Sequence, residues 1–391
     1  MVRLALALIG AALWATCSSA QQQQLDVSIG YLEIRQPQPP TLSNLEPVPE
    51  NRGLAGAELA ISDNNTTGRF LGQTYTLETV VLDEGADGLE EAKTLLNLSP
   101  ILVINANKAQ LESIAALPEA ENAILFNAAS RDDSLRADAC LANTFHTIPS
   151  RAMLADALSQ LAVKKRWTDW VLIEGALPGD KALARAIEAS ADKFRVRIRD
   201  KKEWLFDADM RRNAAREVPL FTQDFPDHDL VVIADEANDF ARYVVYNTWL
   251  PRPVAGSEGI KPSAWSTAVE QHGAAQLQSR FVKQSERGMR SIDYAAWAAI
   301  RSVGEAVTRT NGKDPAALRE FMLSDKFQLA GFKGRPMTFR TWNGQLRQPI
   351  PLTHPGAVIA LAPLEGFLHQ FNELDTLGID QPQSTCTAFG E

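Results

Sequence analysis

Several residue types are scarce in this 391-residue chain, and their scarcity excludes whole classes of protein. Three Cys and five scattered His are too few for a metal site of the usual cysteine or histidine spacing. Lys and Arg number 39 against 48 Asp and Glu, and the net charge of -9 argues against a nucleic-acid partner, which needs clustered positive charge. The apolar share of 45% and the charged share of 22% are those of a globular protein, not of a disordered, fibrous or multi-span membrane chain.

Catalytic motifs are also missing from the sequence. No G-x-G-x-x-G follows a predicted strand, and neither G-x-x-x-x-G-K-[ST], C-x-x-C nor H-E-x-x-H occurs. The nearest match to a nucleophile elbow is residues 255–259, which lacks the first Gly and is followed by the helix-breaking Pro262. We therefore expect a protein that is not an enzyme and has no catalytic cofactor.

A single long apolar run lies at the N-terminus. Arg3 precedes the apolar residues 4–15, and small residues follow up to Ala20. This order is typical of a secretory signal peptide, residues 1–20, cleaved after Ala20, and the run is too short for a permanent membrane span. Lipidation of Cys17 is the alternative. Both interpretations predict an exported protein whose mature chain has no transmembrane segment.

The remainder of the chain alternates short apolar strands with amphipathic helices. Such strands are typical of parallel sheets covered by helices on both faces, and the alternation runs twice, before and after His146. The sequence therefore predicts an α/β fold with two doubly wound parallel-sheet lobes joined by several hinge crossings. The predicted limits are residues 21–148 and 257–349 for the first lobe, and residues 149–256 and 350–391 for the second.

Candidate binding residues follow from the predicted strand ends. Ligands of open parallel sheets bind beyond the carboxyl ends of the strands, where loop amides and helix N-termini converge. Each polar residue there could equally be a helix cap, and each loop Trp could cover the core instead of a planar ligand. The candidates are Tyr31, Arg35, Asn107, Ser130, Arg131, Asp235 and Glu236 at strand ends, with Trp204 and Trp265 in or near loops.

Two cysteines, Cys140 and Cys386, remain after the predicted cleavage. In an oxidising compartment they could form a disulfide, and two buried free thiols are the alternative. Their spacing in sequence does not decide between these alternatives, because pairing depends on the distance between their Cα atoms.

The order of these elements resembles the type I periplasmic solute-binding proteins of ABC transporters, with leucine/isoleucine/valine-binding architecture. Residues 53–61 look like the opening helix of that family, and residues 143–150 look like its first crossing between lobes. The resemblance implies a monomeric periplasmic receptor that closes on a small ligand by hinge motion and delivers it to a transporter permease. Ser130 matches a hydroxyl position of the family's amino-acid binders, whereas Arg131 departs from it and favours a more anionic ligand.

Further stretches resemble a branch of that family associated with pyrroloquinoline quinone (PQQ)-dependent alcohol dehydrogenase systems. They are residues 221–223, 232–236, 251–256, 342–349, 366–370 and 374–378. This resemblance implies PQQ as the bound ligand and a quinoprotein dehydrogenase as a possible partner. PQQ is a planar tricarboxylate, so it would need Arg side chains and an aromatic face.

The expected PQQ contacts contain one conflict of charge. Arg35 and Arg131 could bind carboxylates and Trp204 and Trp265 could supply the aromatic face, but the acids at 235 and 236 oppose an anion unless a cation bridges them or they point away. An amino acid or an alcohol-pathway metabolite is the alternative ligand. A further alternative is an accessory protein of a quinoprotein alcohol dehydrogenase that binds no small molecule.

Overall fold

The structure is a computed structural model that describes residues 24–38, 47–205 and 210–389. The expected signal peptide, with Cys17 and the cleavage position after Ala20, lies outside the described residues. Within the described part of the chain, no helix combines the length and the apolar character needed to cross a bilayer.

The first lobe contains a five-stranded parallel sheet in the order β2-β1-β3-β4-β5. Its first elements are β1 (Leu25–Ile34), α1 (Leu54–Leu71), β2 (Gln73–Leu82), α2 (Leu89–Leu98), β3 (Ile101–Asn105), α3 (Lys108–Ala115), β4 (Ile124–Asn127) and β5 (Thr144–His146). All five residues of β3 are buried, because helices cover both faces of the sheet.

The chain enters the second lobe through a first crossing, residues 147–150. There it forms α4 (Arg151–Lys165), β6 (Asp169–Glu174), α5 (Pro178–Lys193), β7 (Arg197–Glu203), α6 (Met210–Thr222), β8 (Leu230–Ala234), α7 (Ala241–Val244), β9 (Val254–Gly256) and β10 (Lys261–Pro262). The main sheet of this lobe is parallel in the order β7-β6-β8-β9. The alternation on either side of His146 therefore predicted both sheets.

Three helices then return to the first lobe, and two strands complete the second. The helices are α8 (Ala274–Ser285), α9 (Ser291–Thr310) and α10 (Pro315–Leu323), and α8 and α9 pack with α1 in the core of the first lobe. A third crossing, residues 347–349, leads to β11 (Ile350–His354) and β12 (Ala357–Ala362), which form an antiparallel sheet with β10. The predicted fold class, an α/β fold of two parallel-sheet lobes, is confirmed.

The lobe limits differ from the predicted ones at two places. Ile260 is buried in the core of the second lobe and β10 pairs with β11, so the chain leaves this lobe after Pro262 and not after Gly256. The end of the chain, predicted in the second lobe, returns to the first, where the ring of Phe389 packs against Phe145. Both differences arise from long-range contacts that the local hydrophobic pattern does not encode.

The two cysteines link the C-terminal segment covalently to the first lobe. Cys140 and Cys386 form a disulfide, with their Cα atoms 5.6 Å apart. The described chain thus passes between the lobes a fourth time, after the three crossings, and ends on the first lobe.

A buried cluster of ion pairs lies close to the third crossing. Its acid, Asp375, belongs to the segment that precedes Cys386. Asp375 accepts hydrogen bonds from Arg340 Nε at 2.9 Å and from Arg347 Nε at 2.8 Å. Arg340 and Asp375 are only 1% and 3% exposed. Arg340 also donates to the carbonyl oxygen of Leu377, whose side chain is buried in the second lobe's core. The cluster therefore ties the chain near the third crossing to the second lobe.

Candidate functional site

A cavity of about 240 Å³ lies between the lobes, at the carboxyl ends of β8 and β9. Arg131 and Ser291 line it from the first lobe, Ser263 lies where the chain leaves the second lobe, and the remaining lining residues belong to the second lobe. One part of its wall is apolar, formed by side chains of α4 and α5: Leu154, Leu158, Leu183 and Ile187. The other part carries charged and hydroxyl groups: Arg131, Arg151, Asp235, Glu236 and Ser257. The cavity therefore suits a small ligand with an apolar body and a charged group.

A second cavity of about 840 Å³ adjoins the first and shares Lys261, Ser263 and Ser291 with it. Trp265 lines this adjoining cavity. Most of the indole nonetheless contacts other residues of the protein. Its Nε1 donates to Gln278 Oε1 at 3.1 Å, and its ring stacks on Tyr294 with centroids 4.8 Å apart. Only an edge of Trp265 is available to a ligand.

Among the described residues, Arg131 is the one cation of the 240 Å³ cavity whose side chain lacks a protein partner. No residue in the described part of the chain forms a hydrogen bond or an ion pair with its guanidinium group. Burial lowers the pKa of Arg131; the negative charge of Glu236 opposes that shift, and the positive charge of Arg151 adds to it. Arg131 is only partly exposed and an arginine remains charged at neutral pH, so withdrawing its guanidinium from water without a partner carries a cost. A carboxylate can bind it through two parallel hydrogen bonds.

Glu236 is the acid whose negative charge acts most strongly on Arg131, but it already pairs with another residue of the protein. Its carboxylate accepts from Arg151 Nη2 at 2.6 Å and from Arg151 Nε at 3.0 and 3.1 Å. Arg151 also donates to Asp132 Oδ2 at 3.2 Å, so it bridges the two lobes. Burial alone would lower the pKa of Arg151, but its hydrogen bonds and charge interactions with these acids outweigh burial and raise it.

Asp235 is engaged in holding the backbone. Its carboxylate accepts from the amides of Asp239 at 2.9 Å, and of Phe240 and Ala241 at 2.8 Å, and thereby fixes the start of α7. The side chain is buried. Both acids of the cavity are thus occupied within the protein, and neither offers a free carboxylate to a ligand.

The structure brings only some of the predicted site residues to the cavity. Arg131, Asp235 and Glu236 line it. Ser130 precedes Arg131 on the same loop, and its backbone is held by Asn127, whose side chain accepts from Ser130 N at 2.8 Å and donates to Ser130 O at 2.8 Å.

Two polar candidates have local structural partners away from the cavity. Arg35 forms an exposed ion pair with Asp83 at 3.2 Å. Asn107 caps α3, accepting from the amide of Gln110 at 3.0 Å. Their expected ligand contacts are therefore corrected to a surface pair and a helix cap.

The aromatic candidates Tyr31 and Trp204 are buried within the lobes. Tyr31 donates to Glu33 Oε2 at 2.9 Å and accepts from Asn105 Nδ2 at 3.2 Å, and burial, followed by the charge of Glu33, raises its pKa well above the usual value. Trp204 lies in the core of the second lobe, stacked on Phe240 with centroids 4.8 Å apart. Trp204 therefore covers the core and does not contact the cavity.

Other lining residues were missed by the sequence analysis. Arg151 directly follows Ser150, which caps α4 through its side chain, so a cap signal after the first crossing could have identified it. No local pattern marks Ser257, Lys261 or Ser291, because they reach the cavity only through the packing of one lobe on the other.

Comparisons with known proteins agree with this architecture. The family described as periplasmic binding protein matches residues 49–203. None of the curated proteins compared matches the chain. Solved structures with the same fold include those of binding proteins from three organisms.

A branched chain amino acid ABC transporter periplasmic ligand-binding protein from Burkholderia xenovorans is 15% identical with a TM-score of 0.71, covering 93% of this chain and 100% of its own. An ABC transporter substrate-binding protein from Desulfitobacterium hafniense, in complex with Leu, is 16% identical with a TM-score of 0.62, covering 85% and 99%. A solute binding protein from R. palustris, in complex with benzoate, is 12% identical with a TM-score of 0.63, covering 92% and 99%. The fold is that of the type I periplasmic binding proteins.

Proposed function

We propose that this protein is a periplasmic solute-binding receptor of an ABC transporter that captures a small carboxylate between its two lobes. The observation that carries the proposal is the guanidinium of Arg131, which lines the cavity between the lobes and lacks a partner among the described residues. A ligand carboxylate would supply the missing charge and hydrogen-bond acceptors. Capture would involve hinge closure, with no bond made or broken.

The pairing of the cavity's acids favours a carboxylate over a zwitterion. An amino acid would need an acid for its ammonium group, but Glu236 is bound by Arg151 and Asp235 by three backbone amides. The same pairing removes the conflict that these acids present to an anionic ligand. Both Leu and benzoate, bound by two proteins of the same fold, carry a carboxylate.

PQQ is the particular carboxylate that we propose, with a quinoprotein dehydrogenase as the system it serves. One carboxylate of PQQ would bind Arg131, and its rings would extend into the adjoining cavity toward the edge of Trp265. Lys261 lies where the cavities meet, and its ion pair with Glu258 is partly exposed and therefore weak enough to rearrange. Trp204 supplies no aromatic face in this arrangement.

Calorimetric titration of the purified mature protein tests the proposal. PQQ, benzoate and leucine are compared, with benzyl alcohol as the uncharged control. We expect saturable one-to-one binding by a carboxylate and none by benzyl alcohol. Binding of PQQ alone supports the finer proposal, whereas saturation by benzoate or leucine alone keeps the receptor and replaces its ligand. Absence of binding by all three carboxylates contradicts the proposal and favours an accessory protein that binds no small molecule.

Replacing Glu236 with Gln distinguishes a carboxylate from an amino acid. The change removes a negative charge near Arg131, so we expect binding of a carboxylate without an ammonium group to tighten by roughly threefold. An amino acid that used Glu236 for its ammonium group would instead bind more weakly. Titration of E236Q with benzoate and leucine measures both effects. Glu203→Gln is the matched control, because Glu203 forms a partly exposed pair with Lys181 and does not line the cavity.

A further inference from the structure

Arg136 is a buried arginine whose guanidinium binds no carboxylate among the residues that the structure describes. It is 2% exposed, and its four hydrogen bonds go to the carbonyl oxygens of Ser130 (3.0 Å), Asp132 (2.9 Å) and Ile148 (3.0 Å) and to Gln345 Oε1 (2.9 Å). Burial lowers its pKa to about 9, although the charges of Asp133 and Asp132 oppose that shift. Burying a charge is costly, so the four hydrogen bonds that Arg136 donates are the interactions that stabilise it at this position.

The first two acceptors lie on either side of Arg131. Arg136 Nη1 donates to both of these carbonyl oxygens, Ser130 O and Asp132 O, and so holds the backbone that carries the unpaired guanidinium. We call residues 130–132 the anchor loop. Arg136 Nη1 therefore holds the backbone on both sides of Arg131, together with Asn127, which binds Ser130.

The other two acceptors lie at the crossings between the lobes. Ile148 belongs to the first crossing, and Gln345 lies just before the third. Gln345 Nε2 in turn donates to the carbonyl oxygens of His146 at 3.1 Å and Ile148 at 3.2 Å. These bonds link the first crossing to the chain just before the third. Arg136 thus connects the anchor loop to both crossings through a single planar group.

Because of this connection, a displacement of the anchor loop should move the crossings, and a displacement of the crossings should move the anchor loop. The guanidinium fork is rigid and all three of its nitrogens donate, Nη1 to the anchor loop and Nε and Nη2 toward the crossings, so a relative movement of loop and crossings would leave a buried polar group unpaired. The anchor loop and the hinge are therefore expected to move as one unit. A carboxylate that is held by the second lobe and contacts Arg131 would favour the lobe orientation in which Arg136 keeps its hydrogen bonds to both the anchor loop and the crossings.

We propose that Arg136 is a positioning residue that couples carboxylate capture at Arg131 to closure of the hinge. This inference rests on the proposed function, because it requires a ligand at Arg131. Lys at this position keeps the positive charge but has one nitrogen, which cannot reach the anchor loop and both crossings together.

The test compares Arg136→Lys with the wild type and with Arg340→Lys. Arg340 is a matched control, because it is equally buried and also donates to backbone carbonyls near the crossings, but contacts no residue of the anchor loop. The probe is whichever of PQQ, benzoate and leucine saturates the wild type. Dissociation constants come from calorimetry, dissociation rates from stopped-flow tryptophan fluorescence, and closure from the decrease in radius of gyration in small-angle X-ray scattering.

We expect R136K to bind the probe about tenfold more weakly, through faster dissociation, and to lose the scattering change that accompanies saturation of the wild type. R340K should lower thermal stability but keep both the affinity and the scattering change. If R136K is folded and binds and closes like the wild type, the inference is wrong and the proposed function stands. If the wild type itself binds none of the three probes, the proposed function fails first.

A second variant covers the case in which R136K does not fold. Gln345→Met removes the bond from Arg136 to the chain just before the third crossing but leaves its bonds to Ser130, Asp132 and Ile148. It should retain binding through Arg131 with a reduced scattering change. A full scattering change in Q345M, with wild-type affinity, would overturn the inference.

Discussion

Replacing Arg131 with Ala is expected to weaken carboxylate binding about 100-fold, which corresponds to roughly 3 kcal/mol. The guanidinium is the one group in the cavity that combines a positive charge with the absence of a protein partner among the described residues. Its loss removes two charge-assisted hydrogen bonds to the ligand and leaves the carboxylate facing Glu236. Isothermal titration with the carboxylate that saturates the wild type measures the change.

Two further variants make this result specific. Arg131→Lys keeps the charge but not the planar fork, so it should recover only part of the affinity. Arg35→Ala removes a cation that the sequence also proposed for the ligand, but which pairs with Asp83 outside the cavity. Affinity in R35A should equal that of the wild type. A large loss in R35A, or an unchanged affinity in R131A, would place the ligand elsewhere in the cleft.

The fold was predictable because its signals are local. A run such as Leu230–Ala234 is apolar at every position, and only a strand buried on both faces accounts for it, as β8 shows. The order of strands and helices along the chain then defines two sheets. The boundary after Pro262 was not predictable in this way, because it depends on two-residue pairing between β10 and the distant β11.

The site was predictable only as a region. Strand-end logic led to Arg131, Asp235 and Glu236, which do line the cavity, because the strands that precede them in the two sheets both end at the space between the lobes. The same logic led to Asn107, which caps a helix, since caps and ligand contacts use the same residue types at the same positions. Trp204 was selected as a loop aromatic, but three-dimensional packing against Phe240 places it in the core.

Replacing Asp375 with Asn is expected to cost about 3 kcal/mol of stability. The carboxylate is the counter-charge of Arg340 and also binds Arg347, and both guanidinium groups are largely withdrawn from water. Burial lowers the pKa of Arg340 and the charge of Asp375 opposes that shift, so the carboxylate offsets part of the cost of burying the cation. The amide keeps the shape of the side chain but removes the charge, which leaves a buried cation uncompensated. Urea unfolding followed by circular dichroism measures the difference.

The neighbouring pair supplies the control for that measurement. Glu373 lies two positions before Asp375 and pairs with Arg335, but both members of this pair remain partly exposed to solvent. Glu373→Gln should therefore cost less than about 1 kcal/mol, as exposed ion pairs do. Equal losses in the two variants would show that burial does not distinguish the pairs. Because Arg340 also binds Leu377, which is packed in the second lobe, a large loss confined to D375N would identify this cluster as a principal fastening of the chain between the lobes.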